Sequence, residues 1–167
     1  SVSATGYSGT YDGKPHGITV TAPSGATVKY GTAEGTYNLT SSPTYTDAGT
    51  YTVYYQVTKD NYTTVTGSKS VAISKAAGSI SYATTSVPKT FGDAAFTNDL
   101  TNTGDGTVSY ASSNTAVATV NSTSRKVTIK GNGTATITAT VTDGTNYTYA
   151  TKTAKYTVTV GNATMDV

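Results

Sequence analysis

The chain has 167 residues, room for one ordinary domain or two small ones, with 35% hydrophobic residues, no Cys and a net charge of +2. Its 11 basic and 9 acidic residues are scattered singly, so no basic stripe is present to neutralise a run of phosphates, and nucleic acid is a poor partner. Without thiols, neither disulfides nor thiolate-bound metal can hold the fold, and no apolar run approaches membrane-spanning length, so no membrane insertion is expected.

Two Leu (Leu39, Leu100), one Glu (Glu34) and one Met (Met165) leave little helix-forming material. Thr, Tyr and Val suit a pleated, half-buried surface, and 17 Gly supply turns. In chain order, period-two alternation predicts strands at 2–6, 17–22, 26–31, 50–58 and 69–74, with a short strand near 43–46. Tyr11-Asp12-Gly13-Lys14 carries the Asp-Gly pair that hairpins favour. After a short joint at Lys75-Ala76-Ala77-Gly78, strands are expected at 79–83, 86–90, 106–111, 116–120, 126–130, 134–142 and 152–160, followed by a tail at 161–167. Strands this short, with turn signals at about 8–12-residue spacing, predict an all-β chain of two tandem immunoglobulin-like Greek-key β-sandwiches. The domains are expected at residues 1–76 and 77–160. With no signal peptide at its start, the chain reads as a piece of a longer polypeptide whose export signal and anchor lie elsewhere.

The division rests on an internal repeat. Gly49-Thr50-Tyr51-Thr52-Val53-Tyr54-Tyr55-Gln56-Val57-Thr58 aligns with Gly133-Thr134-Ala135-Thr136-Ile137-Thr138-Ala139-Thr140-Val141-Thr142 in the frame GTxTxxxxVT. Each copy is followed by a turn and Asn-Tyr, at Asn61-Tyr62 and Asn146-Tyr147. Upstream, Thr27-Val28-Lys29-Tyr30 matches Thr107-Val108-Ser109-Tyr110. The upstream element recurs after 80 residues and the decapeptide after 84, and a loop absorbs the four-residue difference at small entropic cost. Parity directs Tyr51, Val53 and Tyr55 to the core and Tyr54 to the opposite face with Thr50, Thr52 and Gln56.

Two stretches resemble known families. Ser112-Ser113-Asn114, Ala116-Val117-Ala118-Thr119-Val120-Asn121, Lys126-Val127 and Gly131-Asn132-Gly133-Thr134-Ala135-Thr136-Ile137-Thr138-Ala139 together resemble the bacterial immunoglobulin-like group 2 domain, with Arg125 where that family usually has Gly. The first half is similar to the MBG repeats of bacterial surface proteins, through Tyr11-Asp12-Gly13-Lys14, Asp47-Ala48-Gly49-Thr50-Tyr51-Thr52-Val53 and Lys75-Ala76. Lys89-Thr90-Phe91-Gly92-Asp93 is similar to a lead-in of the same repeats. The resemblance implies a non-catalytic module of a secreted or cell-surface bacterial protein, extracellular, serving as a structural spacer, in cell adhesion, or both. Its implied partners are a host surface or matrix protein or a glycan, together with neighbouring domains of the same polypeptide. The competing expectation is a carbohydrate-binding accessory module of a polysaccharide-acting enzyme or complex.

No residue set points to catalysis. The single His, His16, lies in a turn and is expected to be a solvated polar residue. The acids lie almost all beside Gly or Asn, where Asp hydrogen-bonds its own turn, and no pair suggests glycoside hydrolysis. Lys29 and Lys69, on or near predicted strands, lack a strand-borne carboxylate that would favour an isopeptide cross-link to Asn. Six Asn-x-Ser/Thr sequons follow from the abundance of Thr and carry no meaning in a bacterial protein. Calcium is the better ligand candidate, with Asp93, Asp99 and Asp105 in one Gly- and Asn-rich stretch. For glycan or peptide binding the candidates are Tyr54, Tyr62, Tyr147 and Tyr149, as exposed rings with apolar faces and polar tips.

Overall fold

Alternating Thr and apolar residues build short strands and no helix over the described residues, 1–166, of the computed structural model. A division between Ala76 and Ala77 separates two units. The first contains β1 (Ser3–Thr5), β2 (Tyr7–Thr10), β3 (Thr19–Thr21), β4 (Thr27–Gly31), β5 (Gly49–Thr58) and β6 (Val65–Ser74). Strand β5 lies antiparallel between β4 and β6, β6 pairs in parallel with β2, and the sheet order is β2-β6-β5-β4. A second layer is supplied by the antiparallel β1–β3 pair and an isolated bridge between His16 and Tyr45.

The second unit opens with β7 (Ala76–Gly78), whose first residue lies at the boundary, and β8 (Ile80–Tyr82). It continues through β9 (Ser86–Thr90), β10 (Leu100–Asn102), β11 (Thr107–Ser112), β12 (Ala118–Val120) and β13 (Val127–Ile129). It closes with β14 (Gly133–Thr142), β15 (Tyr147–Tyr149) and β16 (Thr153–Gly161). The main sheet has the order β9-β16-β14-β11, and β8–β10, β12–β13 and β7–β15 form two-stranded pairs.

These sheets share one plan. In each, a parallel edge strand meets the unit's long last strand, which pairs with the ten-residue central strand, which pairs with an antiparallel edge. Registers repeat as well: Val28↔Val57 and Tyr30↔Tyr55 correspond to Val108↔Val141 and Tyr110↔Ala139. Even the bond that closes the parallel edge recurs, Tyr11 N–H to the Ser74 carbonyl at 2.8 Å and Phe91 N–H to the Gly161 carbonyl at 2.9 Å. Thus β5 and β14 occupy the same slot, and the chain is all-β with two immunoglobulin-like sandwiches in tandem.

Several expected strands are displaced for local reasons. The Asp12-Gly13 turn joins no hairpin, because β2 pairs in parallel with β6 and the turn leads only to the bridge at His16. The strand near 43–46 reduces to that bridge at Tyr45. Asn114 accepts backbone bonds from Val117 and Ala118 in a turn, so the strand expected from 116 begins at Ala118. Strands β2, β7, β10 and β15 are additional, each three or four residues long and too short to show a period.

The cores differ in depth. In the second unit the inward residues of β14, Ala135, Ile137 and Ala139, are fully buried with Val158 and Val160 of β16 against Ile80, Tyr82, Val117 and Val127. Tyr82 and Tyr156 meet edge to face at 4.8 Å, and burial pushes the Tyr156 phenol up to about 12. The first unit buries only Ile18, Val53, Val57, Val71 and Ile73 among its described aliphatic residues, four of them in one cluster, so much of its remaining packing comes from tyrosine. Tyr55 covers Gly67, its directly opposite neighbour on β6, and Tyr7 lies over Gly9, so each ring occupies space a Cβ would need. Tyr45 stacks on Tyr51 at 4.0 Å, and the Tyr51 hydroxyl donates to the Asp47 carbonyl at 2.9 Å.

Replacing Ile137, 0% exposed, with Ala is expected to destabilise the second unit by about 2–4 kcal/mol through the cavity left behind. At Gly31 an added Cβ would collide with the backbone carbonyl of Thr36, so Gly31→Ala is expected to cost the first unit about 1–3 kcal/mol. Denaturant unfolding of each variant, followed unit by unit, tests both losses.

Candidate functional site

An open groove of ≈ 390 Å³ lies at one end of the first sandwich. Its floor is the directly paired Val57 of β5 and Val65 of β6, 4% and 40% exposed. Both sit on the core-facing parity of the sheet, Val57 almost wholly covered and Val65 left open to the groove. Val2, Pro23 and Ala26 form one wall, where a turn closed by Ala26 N–H to the Pro23 carbonyl at 3.1 Å leads into β4. Lys59, Tyr62 and Thr63 form the other, on the connection from β5 to β6.

That connection explains the geometry of Tyr62. Tyr62 N–H donates to the Lys59 carbonyl at 3.0 Å, and Asn61 takes the left-handed conformation, φ 71°, which Asn tolerates better than most residues. The turn lifts the Tyr62 ring to 69% exposure, with the Lys59 ammonium 5.1 Å from its centroid. The result is a groove of mixed lining, with Val2, Pro23, Ala26 and Val65 beside Ser1, Thr63 and Lys59 and the Tyr62 ring at its rim.

Of the four tyrosines expected as ligand platforms, only Tyr62 lines this groove. Tyr54 is half-buried on the outer sheet face, between Gly31 and Ser68 in register. Tyr147 is half-buried against the second core, and its N–H donates to Asp105 Oδ1 at 3.1 Å. Tyr149 corrects the expectation outright: it is 2% exposed, packed over Gly78, Gly104 and Gly106. Its hydroxyl donates to Asn102 Oδ1 at 2.7 Å and accepts from the Gly106 N–H at 2.9 Å. Burying the ring satisfies the phenol and caps the core, so no surface platform remains there.

Asp93, Asp99 and Asp105 do not meet. Asp93 accepts the Thr90 N–H at 2.8 Å, Asp99 pairs with Arg125 at 3.1 Å, and Asp105 receives the N–H groups of Asn146 and Tyr147 at 2.9 and 3.1 Å. Each carboxylate is committed to a different local partner. Among the described residues, no group of three or more His, Cys, Asp or Glu is placed to hold a metal ion. His16 also departs from expectation: its ring stacks on Tyr7 at 3.8 Å, and Nε2 lies 2.9 and 3.0 Å from the two Asp12 oxygens. The His16 hydrogen bond, with help from the Lys14 N–H, holds the Asp12 carboxyl below its ordinary range.

Asp143 was not singled out by its sequence context, an Asp-Gly turn like several others, yet it organises the long connection around β15. It accepts from the Lys152 ammonium, the Tyr149 N–H at 2.9 Å and the Thr148 hydroxyl at 3.0 Å. The Lys152 bond, then the Tyr149 N–H, lowers its pKa to about 2.

The tandem immunoglobulin-like sandwich is the class of protein that these sheets define. Within it, the family model described as "Intimin, immunoglobulin-like domain" matches residues 95–145, inside the second unit, so that segment is similar to a bacterial immunoglobulin-like domain. No curated protein matches the chain. Among solved structures, domains 4 and 5 of the S-layer protein SbsC align at 18% identity, over 96% of this chain and 97% of that one, with a TM-score of 0.46. The C-terminal 282-residue fragment of intimin, solved with the intimin-binding domain of its translocated receptor, aligns at 19% identity over 95% of this chain and 62% of that one, with a TM-score of 0.32. A SusE-like surface-located polysaccharide-binding protein from Bacteroides thetaiotaomicron aligns at 13% identity over 96% of this chain and 34% of that one, with a TM-score of 0.34.

Because the folded-state pKa of Asp143 is depressed, its contribution to stability is fully present above the ordinary Asp value of about 4 and is lost as pH falls toward about 2. Asp143→Asn is therefore expected to flatten the acid limb of the melting temperature over that window, which thermal scans at stepped pH would register.

Proposed function

We propose that this chain is a non-catalytic module of an extracellular or cell-surface bacterial protein, working as a spacer and in adhesion. The single observation that carries the reading is the intimin-type immunoglobulin-like match at residues 95–145. It is supported by the two units' common sheet plan, the economical way to lengthen a surface protein by repetition. The carboxylates add support, being committed to turns, ion pairs and backbone N–H groups instead of flanking a cleft. The partner is a host surface or matrix protein, and the neighbouring domains are further modules of the same polypeptide.

For the second half we favour the group 2 assignment. Arg125 stands at φ 61°, the left-handed conformation that suits the Gly usual at that place. For the first half we favour the MBG type, on the Asp47–Val53 segment that enters β5.

A second reading, a carbohydrate-binding accessory module, is favoured by Tyr62, whose exposed ring borders a groove with Lys59. Antibodies against the two units are expected to label intact cells of the source bacterium without permeabilisation, and labelling only after lysis would overturn a surface role. On a glycan array the protein is expected to show no retention. Retention abolished by Tyr62→Ala would replace adhesion to protein with the carbohydrate reading.

A further inference from the structure

Each main sheet has two edge strands, and an edge offers unpaired N–H and C=O groups to any other strand. Three of the four edges carry a device against such pairing. At β4 the Tyr30 N–H and carbonyl are both taken by Leu39, at 2.8 and 2.9 Å. At β11 the Tyr110 N–H donates to the Ser122 carbonyl at 3.2 Å. At β9 the device is read from the bonds at its two ends. The Thr157 N–H donates to the Thr85 carbonyl at 3.0 Å, and the Phe91 N–H to the Gly161 carbonyl at 2.9 Å. In a parallel pair alternate residues direct both backbone groups to the same neighbour, so Val87 and Lys89 bond to β16 while Ser86, Pro88 and Thr90 face outward. Pro88 has no donor, and Thr90 has both groups spent on Asp93. The Asp93 carboxylate accepts the Thr90 N–H at 2.8 Å, and the Asp93 N–H donates to the Thr90 carbonyl at 3.0 Å.

Strand β2 holds the corresponding slot of the first unit without either device. Its closing bond, Tyr11 N–H to the Ser74 carbonyl, matches that of Phe91, so Ser8 stands where Pro88 stands and Thr10 where Thr90 stands. The same alternation turns the backbones of Tyr7 and Gly9 to β6 and those of Ser8 and Thr10 outward. Both residues are exposed, and among the described residues no hydrogen bond reaches their outward N–H and C=O groups.

We propose that β2 is a self-pairing edge, through which two copies of the chain join antiparallel about a two-fold axis at Gly9 and merge their four-stranded sheets into one. About that axis Ser8 of each copy lies opposite Thr10 of the other. Each such pair exchanges N–H···O bonds in both directions, and every outward group of the strand finds a partner. At the axis Gly9 faces its own copy, where the strands approach most closely and a Cβ is absent. Charge also selects a second copy. From Ser3 to Tyr11 there is no charged side chain, so antiparallel pairing sets Asp12 of one copy against the uncharged Gly6 of the other. Parallel pairing would instead bring Asp12 and Lys14 beside their like-charged counterparts. A strand this short supplies little area, so the contact belongs to the weak, transient class, which crowding of copies on one surface strengthens. The inference goes beyond the adhesive reading and stands on the edge alone.

The test uses the full chain. In sedimentation equilibrium its average mass is expected to rise from monomer toward dimer with concentration. Over the same range amide exchange should slow at Ser8 and Thr10, while Tyr7 and Gly9, already bonded to β6, keep their rates. Ser8→Pro, which copies Pro88 and removes no bond to β6, is expected to weaken association at least about tenfold with the melting transition unchanged. Thr10→Lys, an edge charge, serves the same purpose should Ser8→Pro unfold. Because the chain has no Cys, cross-linking reads the register: Ser8→Cys mixed with Thr10→Cys is expected to form disulfide dimers several-fold faster than either variant alone. A monomer at every concentration, a dimer that survives both Ser8→Pro and Thr10→Lys, or single variants that cross-link as fast as the mixture would overturn the proposal. So would Ser8 and Thr10 amides that slow only on adding soluble collagen, which would assign the edge to a foreign chain. Labelling of intact cells reports separately on the surface role, so loss of self-pairing and loss of that role are distinguishable.

Discussion

A ten-residue strand pinned between two antiparallel neighbours, with one face turned to the core, is the constraint on which each unit depends. In β14 the inward Ala135, Ile137 and Ala139 reach zero exposure, and Val53 does so in β5. A one-residue slip would turn the whole set to solvent and bring Thr134, Thr136 and Thr138 inside with unpaired hydroxyls. The cross-strand registers follow from that penalty, and the loops are free to differ because they do not share it.

With one Leu and no Phe, the first unit has little large apolar material for a conventional core. It substitutes tyrosine laid over glycine: the ring supplies buried area, the glycine supplies the space, and the hydroxyl stays near solvent or a carbonyl. The same device caps the second unit at Tyr149. At the corresponding end of the first unit an open groove lies beside Val57 and Val65.

Electrostatics here is local. Asp105 and Asp143 both serve the connection that carries β15, one by accepting backbone N–H groups and the other by joining Lys152 to the Tyr149 backbone. Asp99 and Arg125 pair across 26 residues of sequence. Asp93, Asp99 and Asp105 each answer a different donor, which is why a cluster in sequence at 93–105 did not become a cluster in space.

Alternation and repetition in the sequence determined the all-β class, the inward parity of Val53 and Ile137, and the equivalence of residues 49–58 with 133–142, because a period of two is written directly into residue order. Asn61-Tyr62 likewise carried its turn signal, and Tyr62 is exposed as expected. Tertiary structure alone decided that Tyr149 is buried while Tyr62 is not: both lie on the connection between the central and last strands of their unit, and Tyr149 is covered through the glycines at 78, 104 and 106, distant in sequence. The short strands β2, β7, β10 and β15 belong to the same category, since three or four residues show no period and become strands only when a longer neighbour offers its edge.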